Sequence, residues 1–235
     1  MIIAGLQKTT LIDFQDKVSC IIFLAGCNLR CPWCYSAELV LPMKIARQPR
    51  ISEQEIFEFL RSRKGLLDGV VLCGGEPTIN KDLPQFIEKI KNLGFLVKLD
   101  TNGSNPEMLK DLVARKLIDY VAMDIKIAPE SPVYKNLMIE GITIDKIKES
   151  VEFLKKGNVG FEFRTTTVNT VHTKEDFIKI ANWIGGENVT YYLQNFVPTK
   201  TIDPEFEKIT PFKKDFFDEV VKEISPKFKI CQFRG

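Results

Sequence analysis

The chain has 235 residues, 44% of them hydrophobic and 27% charged, which is enough to bury a core of ordinary size. Its 33 basic and 31 acidic residues are scattered and leave a net charge of +2, so charge gives no reason to expect a nucleic-acid or membrane partner. The first residues do not resemble a secretory signal, and no apolar run is long enough to cross a bilayer. We therefore expect a single domain, residues 1–235, in the cytoplasm.

Short apolar runs rich in β-branched residues alternate with longer stretches of helical period, a pattern typical of β-α units on a parallel sheet. Seven runs are predicted as strands: Val18–Leu24, Gly69–Cys73, Phe95–Leu99, Tyr120–Met123, Phe161–Thr167, Val189–Gln194 and Phe228–Phe233. Between most of these strands, apolar residues recur every three or four positions, which predicts helices with one buried face. Six β-α units and a final strand are too few for a closed eight-stranded barrel. The predicted fold class is therefore α/β, a partial, open β/α barrel.

Local signals predict where several helices begin. Two of these signals have the residue spacing of a capping box. The other two place a capping residue directly before a proline in the first helical position. These starts are Ser52 with Glu55, Thr173 with Asp176, Asn105-Pro106 and Thr210-Pro211. The stretch Ile127–Glu140, rich in proline and polar residues, is predicted to be a surface loop.

Three of the six cysteines lie within eight residues, in 27-CNLRCPWC-34, just after the first predicted strand. Such clustering indicates metal binding in a reducing compartment and not a disulfide framework. Cys27, Cys31 and Cys34 supply three thiolates, whereas an electron-transfer iron–sulfur cluster normally takes four. One iron would lack a protein ligand, an open position of the kind that a catalytic metal needs. The alternatives are a zinc site completed by the sole histidine, His172, or a chance cluster of buried thiols.

Polar motifs also follow the next three predicted strands, and the carboxyl ends of barrel strands are where active sites gather. The paired glycines of 74-GGEP-77 let a ligand approach the backbone, and Glu76 can accept hydrogen bonds from an ammonium group. The motif 100-DTNG-103 offers groups suited to ribose hydroxyls or a small cation. Asp124 and Lys126 lie two residues apart and hence on the same side of an extended strand. The alternative for the glycine motif and for 100-DTNG-103 is an ordinary turn.

These motifs resemble the radical S-adenosylmethionine (SAM) superfamily, whose hallmark is Cys-x3-Cys-x-aromatic-Cys, with Trp33 in the aromatic position. The resemblance covers nearly the whole chain. Within that superfamily, 4-AGLQKTTLIDF-14 and 18-VSCIIFLAGCNLRCPWC-34 resemble the activating enzymes of anaerobic ribonucleotide reductase and related glycyl-radical enzymes. The 7-carboxy-7-deazaguanine synthases, which usually carry a different lead-in, are the second family group that the chain resembles.

The resemblance implies a 4Fe-4S cluster on Cys27, Cys31 and Cys34, with SAM as the ligand of the open iron. It implies that the GGEP segment holds the amino group of the methionine moiety and that Lys126 meets its carboxylate. Asp100 and Asp124, with Thr101, are the implied site of a monovalent cation. No residue is expected to act as an acid or base catalyst. The full set of expected cofactor contacts is Trp33, Tyr35, Gly74, Gly75, Glu76, Thr101, Asn102 and Lys126.

The implied activity is reductive cleavage of SAM to methionine and a 5′-deoxyadenosyl radical. This radical takes a hydrogen atom from a glycine Cα of a partner glycyl-radical enzyme. The first candidate for the partner is anaerobic ribonucleotide reductase. No further cysteine-rich insert is present, so an external one-electron donor such as flavodoxin or ferredoxin is expected. Tyr35-Ser36 and Gln15-Asp16 depart from the His-Asn and Pro-Gly of many activating enzymes. The alternatives are a small-molecule radical enzyme, such as a deazaguanine synthase, and a metal-binding or electron-carrier protein without catalysis.

Overall fold

Strands and helices alternate along the chain in the computed structural model, which describes residues 1–139 and 141–234. The strands are β1 Ile3–Thr10, β2 Ser19–Leu24, β3 Gly69–Gly74, β4 Leu96–Thr101, β5 Tyr120–Asp124, β6 Gly160–Thr167, β7 Gly186–Asn195 and β8 Phe228–Arg234. The helices are α1 Ala37–Val40, α2 Pro42–Ile45, α3 Glu53–Ser62, α4 Leu83–Asn92, α5 Pro106–Ala114, α6 Val133–Leu137, α7 Ile144–Lys155, α8 Lys174–Ile184 and α9 Lys214–Ile224. No helix within these described residues is long and apolar enough to cross a membrane.

The strands follow one another in the sheet in chain order, from β1 to β8. β1 runs antiparallel to β2, whereas β2, β3 and β4 are parallel, as are β6, β7 and β8. All seven predicted strands are confirmed, within one to three residues at their ends. β1 was not predicted, because its sequence IAGLQKTT buries only its first and last residues and shows no regular alternation.

The chain divides into two compact units, and it passes between them several times. The first comprises Met1–Asn28, Glu38–Thr101 and Glu107–Val121; the second comprises Leu29–Ala37, Asn102–Pro106 and Ala122–Gly235. In both units, the β-branched and aromatic side chains of the parallel strands are buried together with the apolar faces of the helices. The single domain expected from the sequence stays a prediction.

Three of the four predicted helix starts are confirmed. Complete capping boxes precede α3 and α8, and α5 begins at Pro106. The start predicted at Thr210-Pro211 is wrong, because α9 begins at Lys214. The carbonyl oxygens of Thr210 and Phe212 accept hydrogen bonds from the side-chain amides of Asn169 and Asn195, at 3.2 and 2.9 Å. Because these two carbonyl oxygens bind side chains from a loop and a strand, residues 210–212 lie outside the helix.

The segment from Ile127, predicted as a surface loop, is in fact partly buried. It contains the short helix α6, and Ile127, Ala128, Tyr134 and Leu137 are each at most 2% exposed. The Tyr134 hydroxyl accepts a hydrogen bond from the backbone N–H of the adjacent Lys126 at 3.3 Å. The final residue of that prediction, position 140, lies outside the described residues. Proline content gave the wrong indication here because the apolar side chains before and after the prolines pack inward.

We predict that Thr173→Ala lowers the free energy of unfolding by about 1 kcal/mol, since the hydroxyl caps the first turn of α8 by accepting from the Asp176 N–H. Urea unfolding followed by circular dichroism measures the loss. Lys179→Ala, an exposed change in the same helix, is the control and should have little effect. Equal stability of the two variants would show that the capping box does not stabilise the helix.

Candidate active site

In the first unit, the glycine motif after β3 lies directly against the backbone that leads to Cys27. The Gly75 N–H donates to the Leu24 carbonyl oxygen at 2.9 Å, and the Glu76 N–H donates to the Gly26 carbonyl oxygen at 2.8 Å. A Cβ added to Gly75 would stand 1.9 Å from the Gly26 carbonyl oxygen. Only glycine permits this approach, so residue 75 positions the start of the cysteine loop.

Glu76 is fully buried, and its carboxylate is held by two threonines. Its Oε1 accepts hydrogen bonds from the Thr78 N–H at 3.1 Å, the Thr78 hydroxyl at 2.6 Å and the Thr101 hydroxyl at 2.7 Å. The structure thus brings together Glu76 and Thr101, two residues predicted for the site from different strands. Thr78, which orients the carboxylate, was missed, because a threonine in a turn has no distinctive sequence signal.

In the second unit, the rest of the cysteine loop forms a tight turn. The Cys34 N–H donates to the Cys31 carbonyl oxygen at 3.0 Å. A segment after β7 pairs with this turn, because the N–H groups of Ile202 and Asp203 donate to the carbonyl oxygens of Cys34 and Pro32, both at 3.0 Å. The backbone of residues 32–34 is therefore fixed from a part of the chain about 170 positions away.

Trp33, in the middle of this turn, is 4% exposed and packs beside His172 and Phe206, with ring centroids 6.3 and 6.1 Å away. The Val168 N–H donates to Nδ1 of His172 at 3.1 Å, so Nε2 carries the proton and donates to the Lys126 carbonyl oxygen at 2.9 Å. Burial lowers the pKa of His172 and favours this neutral form.

Both ring nitrogens of His172 are therefore engaged with backbone groups. Neither has a lone pair left for a metal, so the zinc alternative lacks its histidine ligand. His172 acts as a link between the end of β5 and the chain after β6.

Asp124, Lys126 and Arg164 form an ion-pair cluster between the carboxyl end of β5 and the middle of β6. Lys126 Nζ lies 2.9 Å from Asp124 Oδ2, and Arg164 Nε lies 3.0 Å from Oδ1. Burial alone would raise the pKa of Asp124, but the two cations lower it from 3.8 to about 2. Burial acts to lower the pKa of Lys126, yet Asp124 and the thiols of Cys31 and Cys34 raise it above its usual value.

The donor set of these residues fits a thiolate-bound iron–sulfur cluster. None of the six cysteines, all of which lie in the described part of the chain, forms a disulfide, and the thiols of Cys31 and Cys34 interact electrostatically with Lys126. Cysteine sulfurs are the ligands that hold iron in such clusters. Among residues 1–139 and 141–234, no three Cys, His, Asp or Glu side chains form a group that could hold a metal ion. The three-cysteine ligand set therefore stays a prediction.

The other predicted site residues take different positions. Asn102 is buried and accepts a hydrogen bond from the Ser104 N–H at 2.9 Å, as in a local turn. Asp100 Oδ1 lies 3.9 Å from the ammonium group of Lys98, which is buried. Tyr35 is 58% exposed. Their contacts with a cofactor stay predictions.

The three cysteines outside the loop do not resemble ligands. Burial raises the pKa of Cys20 and of Cys231 to about 12, so both stay protonated in the strands that bury them. Cys73, at the end of β3, packs against the apolar cluster of Phe14, Ile21 and Val71. The sequence interpretation of Cys20 and Cys231 as small buried side chains is confirmed.

Comparison with known proteins shows the family of this chain. The Radical SAM superfamily pattern matches residues 21–184. A Methanocaldococcus jannaschii protein provisionally named as a glycyl-radical enzyme activating enzyme is 36% identical over 229 residues, 94% of this chain and 90% of its own length. A 7-carboxy-7-deazaguanine synthase of Thermococcus kodakarensis is 28% identical over 68% of this chain and 65% of its own length. The chain belongs to the radical SAM superfamily and is a radical SAM enzyme.

Solved structures support the fold. QueE from Escherichia coli is similar over 99% of this chain and 93% of its own, with a TM-score of 0.61 and 17% identity. SuiB from Streptococcus suis, bound to its precursor peptide, has a TM-score of 0.66 at 18% identity and covers 92% of this chain. The chain spans about half the length of SuiB. The predicted fold class, the partial β/α barrel, is confirmed, and membership of the family implies a 4Fe-4S cluster and SAM.

We predict that Asp124→Asn lowers the free energy of unfolding by about 2 kcal/mol, because it removes a carboxylate that two cations share. The folded pKa of about 2 lies below the ordinary 3.8, so the carboxylate stabilises the fold fully above pH 3.8 and loses this effect as the pH falls through 2. The difference from wild type in urea unfolding should therefore shrink below about pH 4.

Asp111→Asn is the matched control, since Asp111 forms an exposed ion pair with Arg115 on α5. Its effect should be within experimental error. An Asp124→Asn protein as stable as this control at pH 7 would contradict the prediction.

We also predict that Cys31→Ala abolishes cluster assembly, because a second iron without a protein ligand leaves the cluster labile. Anaerobic reconstitution followed by iron and sulfide analysis should give about four irons per wild-type chain and almost none in the variant. Cys231→Ala controls for the loss of a buried thiol and should keep its iron. An intact cluster in Cys31→Ala would refute the ligand assignment.

Proposed function

We propose that this radical SAM enzyme is an activating enzyme, which generates a glycyl radical on a partner enzyme. The observation that carries the proposal is the 36% identity to the Methanocaldococcus jannaschii protein, which extends over 94% of this chain and 90% of that protein. A likeness along the full length includes the regions outside the cysteine motif. It therefore supports a shared substrate class as well as a shared cofactor.

In this proposal, Cys27, Cys31 and Cys34 hold the 4Fe-4S cluster. When bound, the cluster supplies the electron for the reductive cleavage of SAM. Glu76, oriented by Thr78 and Thr101, accepts hydrogen bonds from the amino group of SAM.

Lys126 binds the carboxylate of SAM, and its own position depends on Asp124. Arg164, on the other oxygen of Asp124, keeps that carboxylate between two cations and adds positive charge to the same place. Asp100 and Asp124 stay proposed ligands of a monovalent cation. A cation at Asp124 would have to share its carboxylate with Lys126 and Arg164.

Anaerobic ribonucleotide reductase is the proposed partner. One electron from an external donor, flavodoxin or ferredoxin, and one SAM would yield methionine, 5′-deoxyadenosine and one glycyl radical per turnover. The hydrogen atom of the glycine Cα ends on the 5′-carbon of 5′-deoxyadenosine, which balances the reaction.

A second function is favoured by a separate observation. The Thermococcus kodakarensis synthase is 28% identical to this chain over 178 residues. A 7-carboxy-7-deazaguanine synthase would use the same cofactor residues on a small-molecule substrate.

We expect the reconstituted, reduced protein to generate a glycine-centred paramagnetic signal when mixed with SAM and anaerobic ribonucleoside-triphosphate reductase. Electron paramagnetic resonance detects the signal, and chromatography should detect 5′-deoxyadenosine in about equal amount. The Cys31→Ala protein, which is predicted to lack the cluster, is the negative control. If 5′-deoxyadenosine forms only with a tetrahydropterin carboxylate, the chain is a small-molecule enzyme and the proposal is wrong.

A further inference from the structure

One face of strands β6 to β8 carries polar side chains in two rows. In a parallel sheet, paired residues project to the same side. Arg164 pairs with Tyr192 and Tyr192 with Gln232, which gives the first row. In the second row, Thr166 pairs with Gln194 and Gln194 with Arg234. We call these six residues the Arg164 face.

The opposite face of the same strands is covered. Phe233, which neighbours Gln232 and Arg234 in β8, stacks on Phe217 of α9 with ring centroids 3.9 Å apart. Phe233 thus packs against a helix, whereas its neighbours Gln232 and Arg234 project the other way. Gln232 is exposed, and Gln194 and Arg234 are partly exposed.

The guanidinium group of Arg234 lies on an aromatic ring, and its N–H groups can still donate hydrogen bonds to a ligand. Its Cζ lies 3.2 Å from the ring centroid of Tyr192, so the guanidinium stacks on the aromatic face. Its nearest carboxylate is that of Glu162, 3.8 Å from one terminal nitrogen and 1% exposed. A stacked guanidinium has its rotamer fixed and its N–H groups directed outward in the plane, an arrangement that suits a carboxylate.

Gln194 and Gln232 add two side-chain carboxamides to the Arg164 face. No side-chain hydrogen bond of Gln194 or Gln232 is found within the described residues. A carboxamide carries a donor and an acceptor, which together match the peptide group of an extended chain. Each row crosses three strands and is therefore about 10 Å long. Roughly three residues of an extended chain have the same length.

β8 is also the last strand in the sheet order, so a segment that crosses the Arg164 face meets backbone groups at a sheet edge. The face is continuous with the ion-pair cluster of Asp124 and Lys126 through Arg164. It therefore lies beside the residues assigned to SAM, within the second unit.

We propose that the Arg164 face binds an extended segment of the protein substrate, with Gln194 and Gln232 on its peptide groups and Arg234 on an acidic side chain. This inference rests on the proposed function, since it names the part of the enzyme that recognises the partner. Peptide-group recognition favours a protein segment over a small molecule, because two carboxamides and a sheet edge match a repeating backbone.

The test measures the dissociation constant for anaerobic ribonucleoside-triphosphate reductase by biolayer interferometry on the reconstituted full chain. Arg234→Ala should weaken binding about tenfold, since it removes a charged hydrogen bond. Gln232→Ala, at an exposed position where folding is not at risk, should weaken it about threefold. Lys229→Ala is the matched control, because Lys229 is a cation of the same strand that projects from the opposite face, and it should stay within twofold.

The outcomes separate the two proposals. If wild type binds the reductase and both Arg164-face variants bind like Lys229→Ala, the docking inference is wrong and the proposed function stands. If wild type neither binds the reductase nor produces its glycyl radical, the proposed function fails and the inference fails with it. If only the Michaelis constant for a tetrahydropterin carboxylate rises in Arg234→Ala, the face binds a small molecule and the protein-segment inference is refuted.

Discussion

The backbone contact between Gly75 and Gly26 is the constraint on which the predicted site residues of the first unit depend. It ties the turn after β3 to the chain that leaves β2, so the segment that carries Glu76 and the segment that leads to Cys27 cannot move independently. A side chain at position 75 would separate them. Parallel pairing of β2 with β3 brings these two strand ends side by side, and glycine lets them touch.

In the second unit, charge organises the predicted site residues. Asp124 is paired with both Lys126 and Arg164, and its low pKa keeps it ionised at any physiological pH. Two cations around one anion leave a net positive charge in this cluster. That charge suits an anionic ligand, as the predicted contact of Lys126 with a carboxylate requires.

Much of the fold followed from local patterns, because buried parallel strands are continuous β-branched runs and capping boxes have a fixed spacing. The strand-end residues Glu76, Thr101, Asp124 and Lys126 were predictable for the same reason, since strand order determines where they lie. Interactions between distant residues were not. Nothing near Thr210 in sequence shows that Asn169 and Asn195 donate to the carbonyls of Thr210 and Phe212, and nothing near His172 shows that its ring reaches Lys126.

The ring contact between Trp33 and His172 has a mechanical consequence. His172 holds the carbonyl of Lys126, and Trp33 belongs to the turn of residues 31–34, so a displacement of that turn is transmitted to the end of β5 through rigid rings. The segment at 202–203 restrains the same turn from another direction. Loss of order in the cysteine turn would thus loosen the Lys126 backbone as well, and the position of the Lys126 ammonium group would vary with the state of the turn.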